Sequence, residues 1–412
     1  MQKVLFLTES YPDFLRSATI LCTKRLIECM AMQSDFEVHC LCTQQSGDFL
    51  EESVKNVHVH RVRKTPWKLF YDYLNNQPEL QNFILKIQKV LTIPFFPCRD
   101  LFMLQRYKRK AISLYLKHHY DIVIAEHHGY NTLMTGCYLK EKFPLVKYYP
   151  VLWDPILGQT KPTFLPDRYI DNQILKCENR VNKAADMVFS IQAAKRIYEK
   201  INDTARNKRI YYDIPSVLPP EQEKPTKYLS LIKKGYINVT FSGLLGIPSR
   251  DPSYIINILN QTSHAERINI LFFSKGLSKK DQQKLSDSFK GSIVFHEYIP
   301  LGELHTIYRH SDFLLNISHI NANMTPSKIF EYMSYGKPII STYLTNGDAA
   351  KKYLDIYPES IVINQQESEE ENINKMEKFL VSNHPIVEFK IVQELFSLNT
   401  PEKFVEILRE LK

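Results

Sequence analysis

Two rhythms alternate along this chain. Lys3–Thr8 is a short apolar run of strand type, and Thr19–Met32 carries its apolar residues at helical spacing. Phe36–Thr43 and Val57–Val62 read as strands, the second by strict alternation. Residues 66–118 break the rhythm with a long helical, aromatic and basic insertion. It resumes with a buried-type strand at Asp121–Ala125 (DIVIA) and another at Leu145–Leu152, which runs into Trp153-Asp154-Pro155. Asp167–Ala185 then reads as a helix, and Asp186–Ile191 and Lys208–Tyr212 as strands.

Residues 213–236 look like a linker, with Pro215, Pro219, Pro220 and Pro225 in a polar setting. Strands follow at Ile237–Phe241, Ile268–Phe273, Ser292–His296, Phe313–Ile317 and Pro338–Thr342, with a last one ending at Ile363. Helical patterns separate them at Pro252–Gln261, Lys279–Phe289, Leu301–His310 and Ser327–Tyr335. The tail, Glu388–Leu395 and Pro401–Leu411, is helical. Such alternation predicts parallel sheets with helices on both faces. The predicted fold is α/β, two Rossmann-like doubly wound domains facing a cleft. Ligands of such sheets bind at the carboxyl ends of the strands, near the switch point of strand order.

A length of 412 residues suits two to three domains and a large core without staples. Apolar residues make up 44% and charged residues 24%, which excludes disordered and fibrous classes. Twelve glycines are few for this length. The net charge of +8 is uneven: residues 1–220 hold 31 Lys and Arg against 22 Asp and Glu, so the whole excess lies in the first half. A basic half serves nucleic acid, an anionic membrane surface or an acidic substrate. Seven scattered cysteines without a C-x-x-C pattern read as reduced thiols of a cytoplasmic protein. No apolar run reaches the length of a membrane span, and Val4–Leu7 is too short for a signal peptide.

The most specific stretch is Asn323 to Ser341, N-M-T-P-S-K-I-F-E-Y-M-S-Y-G-K-P-I-I-S. It reads as loop, helix, glycine stop and strand. Thr325 is placed to cap the helix and Pro326 to open it. Free N–H groups at Ser327 and Lys328, with the Lys328 charge, then suit a phosphate. Glu331 falls one turn after Ser327 on the same face, where a carboxylate accepts bonds from paired sugar hydroxyls or simply faces solvent.

This segment resembles the donor-binding segment of retaining glycosyltransferases of the GT-B fold, family 4, in particular a subset reading P-S-K-x-F-E-Y-M. Phe295-His-Glu-Tyr-Ile-Pro300, Glu303-Leu304, Tyr308 and Ser311-Asp312-Phe313 are similar to the run that precedes that helix. Ala185-Asp186-Met-Val-Phe-Ser190 and Asp121-Ile-Val-Ile124 resemble two further strands of the family. The resemblance implies an acceptor-binding domain over 1–215, carrying the insertion 66–118 and a returning helix 396–412. It implies a nucleotide-sugar donor domain over 216–395.

Residue roles follow from the same resemblance. Glu331 is implied to hold the nucleotide ribose, and Ser327 and Lys328 to meet the diphosphate. Asn323 and Thr325 flank them on the donor side. Tyr298 and Ile299 stand where backbone meets the base, Gly243 matches a loop glycine, and Arg250 lies near a basic residue that neutralises the leaving diphosphate. Glu126 and His127 follow the DIVIA strand, where the family has a His touching donor sugar or acceptor; with Arg250 and Lys328 they form the implied catalytic set. Ser17, His128 and Asp154 are the acceptor-side candidates. The sequence departs from the pattern at Asn323, which replaces a Glu, at Leu244, which replaces an Arg, and at Arg16-Ser17-Ala18-Thr19, where a Gly-Gly loop is missing.

The implied activity is transfer of a sugar from a nucleotide sugar to a glycan or lipid-linked acceptor, as in polysaccharide biosynthesis, retaining and metal-independent, with no cofactor. Two alternatives stand beside it: a non-catalytic GT-B scaffold, and a nucleotide-sugar hydrolase or epimerase. A metal at His127-His128 is not expected, since adjacent histidines point differently and no third ligand is evident. Trp67, Phe70, Tyr71, Tyr73, Phe95, Phe96, Phe102 and Tyr107, beside Arg106-Tyr-Lys-Arg-Lys110, suit either a membrane interface or a helical subdomain with a solvated charged face. Nucleic acid is not expected, because no binding motif accompanies the charge. The expected location is the cytoplasm, with peripheral attachment to the inner membrane face as the variant of that reading.

Overall fold

The computed structural model describes residues 1–11, 18–45, 47–74, 77–98, 100–127, 129–153, 166–200, 203–320, 325–345 and 347–411. The chain separates into two compact units, Met1–Pro215 with Pro401–Lys412, and Ser216–Thr400. Each is built on one twisted sheet with helices on both faces.

In the first unit the strands are β1 (Gln2–Leu7), β2 (Phe36–Thr43), β3 (Glu51–Val54), β4 (Val57–Val62), β5 (Ile122–Glu126), β6 (Lys147–Leu152), β7 (Val188–Ile191) and β8 (Arg209–Tyr212). Their order is β3-β4-β2-β1-β5-β6-β7-β8, parallel except for the β3–β4 hairpin. The two faces sort the side chains by parity. Val4, Phe6, Val38, Cys40, Ile122 and Ile124 pack under helices Ala18–Ala31 and Pro401–Glu410. Leu5, Leu7, Leu41, Val123 and Ala125 pack under Leu101–His118, Tyr130–Lys142 and Asp167–Ala184. Strands buried on both faces need apolar residues at nearly every position, which is why they read as continuous runs.

The returning helix belongs to this core. Phe404 is fully buried between Phe189 and Tyr212, at ring distances of 4.8 and 5.4 Å. Its last turn is tied down by Arg409, whose Nη2 donates to Asp35 Oδ1 over 2.8 Å.

Two readings of the sequence need correction here. The insertion is shorter than 66–118. Leu101–His118 is an ordinary crossover helix between β4 and β5, with Tyr107 buried and donating to the Thr8 carbonyl over 2.9 Å. Only the helices Pro66–Tyr73 and Pro78–Leu91 and the turn after them are additional. The proline-rich stretch is no free linker beyond Pro215 either. Lys224 N–H donates to Thr306 Oγ1 (3.0 Å) and Thr226 Oγ1 to Glu303 Oε2 (2.6 Å), so it lies along helix Leu301–His310 of the second unit.

The second unit has β9 (Ile237–Leu244), β10 (Ile268–Lys275), β11 (Ser292–His296), β12 (Phe313–Asn316), β13 (Ile339–Tyr343) and β14 (Ser360–Asn364). All are parallel, in the order β11-β10-β9-β12-β13-β14. β9 and β10 each run past the expected ends, because Ser274 and Lys275 stay in register with Gly243 and Leu244. The helix Lys328–Ser334 stops at Gly336, whose φ is +66°; a Cβ there would stand 2.3 Å from the Val387 carbonyl, so only glycine fits.

Candidate functional site

Each sheet has one switch point, where neighbouring strands send their crossovers in opposite directions. In the first unit it lies between β1 and β5, and in the second between β9 and β12. Crevices form at the carboxyl ends of such strand pairs. The sequence-derived candidates gather at both.

In the first unit Thr8 follows β1 and Glu126 ends β5. Glu126 is 1% exposed, and its Oε1 accepts from the Thr8 hydroxyl and from the Glu9 N–H (3.3 Å). Burial pushes the Glu126 carboxyl up to about 7, against the lowering effect of the Thr23 and Thr8 hydroxyls and the Glu9 N–H. Trp153 Nε1 holds Thr23 Oγ1 at 2.8 Å. The Glu126 carbonyl accepts from Thr132 Oγ1 at 2.6 Å, which ties the strand end to helix Tyr130–Lys142. A Cβ on Gly129 would meet the Glu9 carboxylate at 2.1 Å, so Glu9 sits directly over the start of that helix. A carboxyl titrating near 7 beside a second carboxylate is equipped for proton exchange. His127 is buried, bonded through its N–H to the Val151 carbonyl (2.9 Å), with its ring edge-on to Tyr130 at 5.2 Å. Ser17, His128 and Asp154 lie outside the described residues.

In the second unit Gly243 and Leu244 end β9. Gly243 has φ +148°, and a Cβ there would reach 3.7 Å from Arg250 Nη1. Arg250 is held by a tight pair of backbone bonds to Gly246, 2.6 and 3.1 Å. Its guanidinium makes one long bond, 3.4 Å, to the Leu244 carbonyl. Its buried Nε has no hydrogen-bond partner, and no carboxylate among the described residues pairs with it. Burial lowers its pKa; the neighbouring acidic groups of Tyr332, Tyr298 and Asp348 act in the opposite direction. A guanidinium nonetheless keeps its charge in proteins.

Across the switch point, Lys328 opens the helix Lys328–Ser334 that follows β12. Its Nζ lies 2.9 and 3.0 Å from the Glu331 oxygens and 3.4 Å from Tyr308 Oη. Glu331 is 6% exposed and also takes His305 Nε2 at 2.9 Å. Buried Tyr308 reaches Ser242 Oγ at 2.5 Å, and Ser242 N–H donates to Tyr332 Oη at 3.0 Å. Burial raises both phenols, Tyr332 to about 12, so they act as neutral hydrogen-bonding groups. The chain Ser242–Tyr308–Lys328–Glu331–His305 thus joins the end of β9 to the helix after β12.

Three sequence expectations change. Thr325 does not cap the helix: Ser327 holds the cap position in αR geometry without a side-chain bond, and Thr325 Oγ1 has no partner among the described residues. The Pro326 carbonyl takes the Ile329 amide at 3.3 Å, so backbone alone starts the turn. The Lys328 charge is not free but paired with Glu331, and Glu331 is buried rather than solvent-facing. Tyr298 is 38% exposed with Lys275 Nζ 5.6 Å over its ring, while the Ile299 side chain is buried. Asn323 lies outside the described residues. Thr8, Glu9, His305 and Tyr332 were not singled out from sequence; the polar triplet Thr8-Glu9-Ser10 directly after the first apolar strand is the signal that marks the first two.

No family model matches the chain, and no curated protein matches it. Solved structures match it end to end. Sucrose-phosphate synthase from Thermosynechococcus elongatus is 12% identical with a TM-score of 0.64, over 100% of this chain and 99% of that one. HepE from Anabaena, in complex with UDP and glucose, is 12% identical with a TM-score of 0.60, over 100% of both chains. An α,α-trehalose-phosphate synthase (UDP-forming) from Burkholderia vietnamiensis is 12% identical with a TM-score of 0.63, over 99% and 98%. The fold is GT-B. At one switch point the chain carries a guanidinium with no carboxylate paired to it among the described residues, and at the other a buried carboxyl pushed up to about 7. The first can neutralise an oligophosphate, and the second can pass a proton to or from a hydroxyl.

Proposed function

We propose that this chain is a metal-independent retaining glycosyltransferase that takes a nucleotide sugar in the second unit and a glycan or lipid-linked acceptor in the first. The observation that carries this reading is Arg250. A half-buried guanidinium with no carboxylate within ion-pair distance among the described residues, beside a glycine at the carboxyl end of β9, is a ready partner for a diphosphate. Full-length likeness to GT-B enzymes, one of them in complex with UDP and glucose, supports the same direction.

In this proposal Tyr298 and the backbone at Ile299 border the base, and Glu331 accepts from the ribose hydroxyls. Lys328, 29% exposed at its side chain, turns from Glu331 toward the diphosphate. Charge that builds on the leaving diphosphate is met by Arg250 and Lys328, fixed before the reaction starts. Such preorganised charge is commonly a large part of catalysis. The acceptor oxygen bonds to the anomeric carbon on the face from which the diphosphate departs, the bond from that carbon to the diphosphate oxygen breaks, and the acceptor proton passes to a phosphate oxygen of the departing diphosphate; attack and departure on one face retain configuration. Glu126, Thr8 and Glu9 order acceptor hydroxyls in the first unit.

A membrane-borne acceptor is part of the proposal. Helices Pro66–Tyr73 and Pro78–Leu91 expose Trp67, Phe70, Tyr73, Phe83, Val90 and Leu91 on the basic half of the chain. Among the described residues no helix is long and apolar enough to cross a membrane, and the seven cysteines are free thiols, which supports a cytoplasmic, peripheral location.

A thermal-shift panel of nucleotide sugars followed by product analysis tests the reading. Stabilisation by one nucleotide family, and an α-linked product from an α-linked donor, are expected. Stabilisation by none of them, in a chain that melts cooperatively, removes the donor site and the proposal with it.

A further inference from the structure

The opposite end of the first sheet carries a second cluster of functional groups. His39 on β2 and His58 and His60 on β4 point to the face covered by helix Leu101–His118, and that helix ends on His118 against them. His39 is 2% and His60 6% exposed. One ring nitrogen from each of His39, His60 and His118 lies within 4.8 Å of the other two. The site lies at the middle of β2 and β4 and beside the chain that leads into β5, away from Glu126 and Thr8.

The hydrogen bonding of this cluster does not close on itself. His39 Nε2 lies 3.0 Å from Glu37 Oε1. An ionised carboxylate only accepts, so His39 Nε2 carries the proton and Nδ1 presents a lone pair. That lone pair faces His60 Nε2 at 3.0 Å, while His60 Nδ1 lies 3.6 Å from Glu51 Oε1. If His60 Nε2 donates to that lone pair, the buried His60 Nδ1 is left without a hydrogen-bond partner among the described residues. His118 adds a buried Nε2 with no hydrogen-bond partner among the described residues.

A cation taken by His39 Nδ1 and His60 Nε2 would leave the His60 Nδ1 proton facing Glu51 and give the His118 ring a partner. We propose that His39, His60 and His118 bind one divalent transition-metal ion of the zinc class, with water or a further ligand in the fourth position. Two Zn–N bonds of about 2.05 Å at a tetrahedral angle separate their nitrogens by about 3.3 Å, close to the spacing found here. Glu37 behind His39 and Glu51 behind His60 supply the carboxylates that commonly fix the tautomer of a metal-bound histidine. The 18-residue helix Leu101–His118 ends on His118 itself, and the carboxyl end of a helix favours positive charge. The ion would pin β2, β4 and that helix together. It lies outside the proposed transfer chemistry, which needs no metal, so each proposal stands or falls alone.

The test uses the full chain, stripped of metal with a chelator and titrated with Zn²⁺ against a chromophoric competitor. One equivalent bound at about micromolar Kd or tighter is expected, with a rise in melting temperature. His60→Gln and His118→Gln should each weaken binding roughly tenfold or more, and His58→Gln and His119→Gln should stay within about twofold of wild type. His118 is a partly exposed helix-end residue, so its variant keeps the fold and its metal-free melting curve checks that. Co²⁺ on the unmodified chain gives a readout independent of any variant: intense visible bands of a tetrahedral nitrogen site are expected. No bound equivalent, unchanged binding in both His60→Gln and His118→Gln, or loss in His58→Gln alone, which would move the ion to the neighbouring Glu37–His39–His58 trio, overturns the assignment.

Discussion

The Lys328 ammonium bridges both oxygens of Glu331, at 2.9 and 3.0 Å, one helical turn away on the same side. The pair is tied on one side to His305 and on the other to Tyr308. This ties the proposed ribose acceptor and the proposed phosphate cation to each other until the donor arrives. Glu331→Gln keeps the shape and removes the charge, so it should weaken a nucleoside monophosphate and a diphosphate alike, by roughly tenfold or more. Lys328→Ala should weaken the diphosphate far more than the monophosphate. Calorimetric titration of both ligands against both variants checks this, and unchanged affinity in Glu331→Gln sinks the ribose role. Both variants should also lose about 1–3 kcal/mol of stability, because each leaves a buried partner unmatched.

Arg250 predicts the reverse pattern. No carboxylate among the described residues pairs with it, and its buried Nε has no partner. Removing it therefore breaks little in the folded chain. Arg250→Ala should leave the denaturation midpoint within about 0.5 kcal/mol of wild type, or raise it, while diphosphate affinity drops by roughly two orders of magnitude. Arg250→Lys should restore only part, since an ammonium lacks the planar fork. Equal losses of stability and binding would make Arg250 a structural residue.

The exposed aromatic side chains of Pro66–Tyr73 make the membrane proposal measurable. Trp67, Phe70 and Tyr73 are 41, 47 and 79% exposed. Flotation with anionic vesicles should carry the chain upward, and the triple variant to Ser should stay below with an unchanged melting curve. Floating equally well without these rings would assign attachment to another surface.

Much of this molecule is legible from pattern because both sheets, apart from the β3–β4 hairpin, are parallel and buried on both faces. DIVIA and VTF-type runs can only be inner strands, and Gly336 can only stop its helix. The edge hairpin is not legible. β3 turns into β4 through Lys55 and Asn56, both at positive φ (51° and 63°), without the glycine that normally betrays such a turn. Tyr107 sits directly between Arg106 and Lys108 and reads as part of a charged aromatic stretch, yet it lies in the core. At the site, Lys328 and Glu331 are legible as neighbours on a helix. Their pairing with His305, which comes from a different helix, depends on tertiary packing that spacing along the chain does not encode.

Glu126 gives the sharpest pH dependence. Its carboxyl titrates near 7 in the folded chain, against an ordinary value near 4.5, chiefly because burial disfavours the charged form. The fold therefore prefers Glu126 protonated. Its contribution to stability is complete below about pH 4.5 and is lost as pH rises through about 7, since across that interval the folded chain binds the extra proton. The total is about 3 kcal/mol, at roughly 1.4 kcal/mol per pH unit. Glu126→Gln stays neutral and keeps a similar shape. The difference in unfolding free energy between variant and wild type should grow in favour of the variant between pH 4.5 and 7.5 and then level off. Urea denaturation of both chains at half-unit pH steps measures it directly. Subtraction removes every other titrating group the two chains share, so a flat difference curve means that Glu126 is not held in the protonated form, and that its use as a proton-exchanging group near neutrality has to be given up.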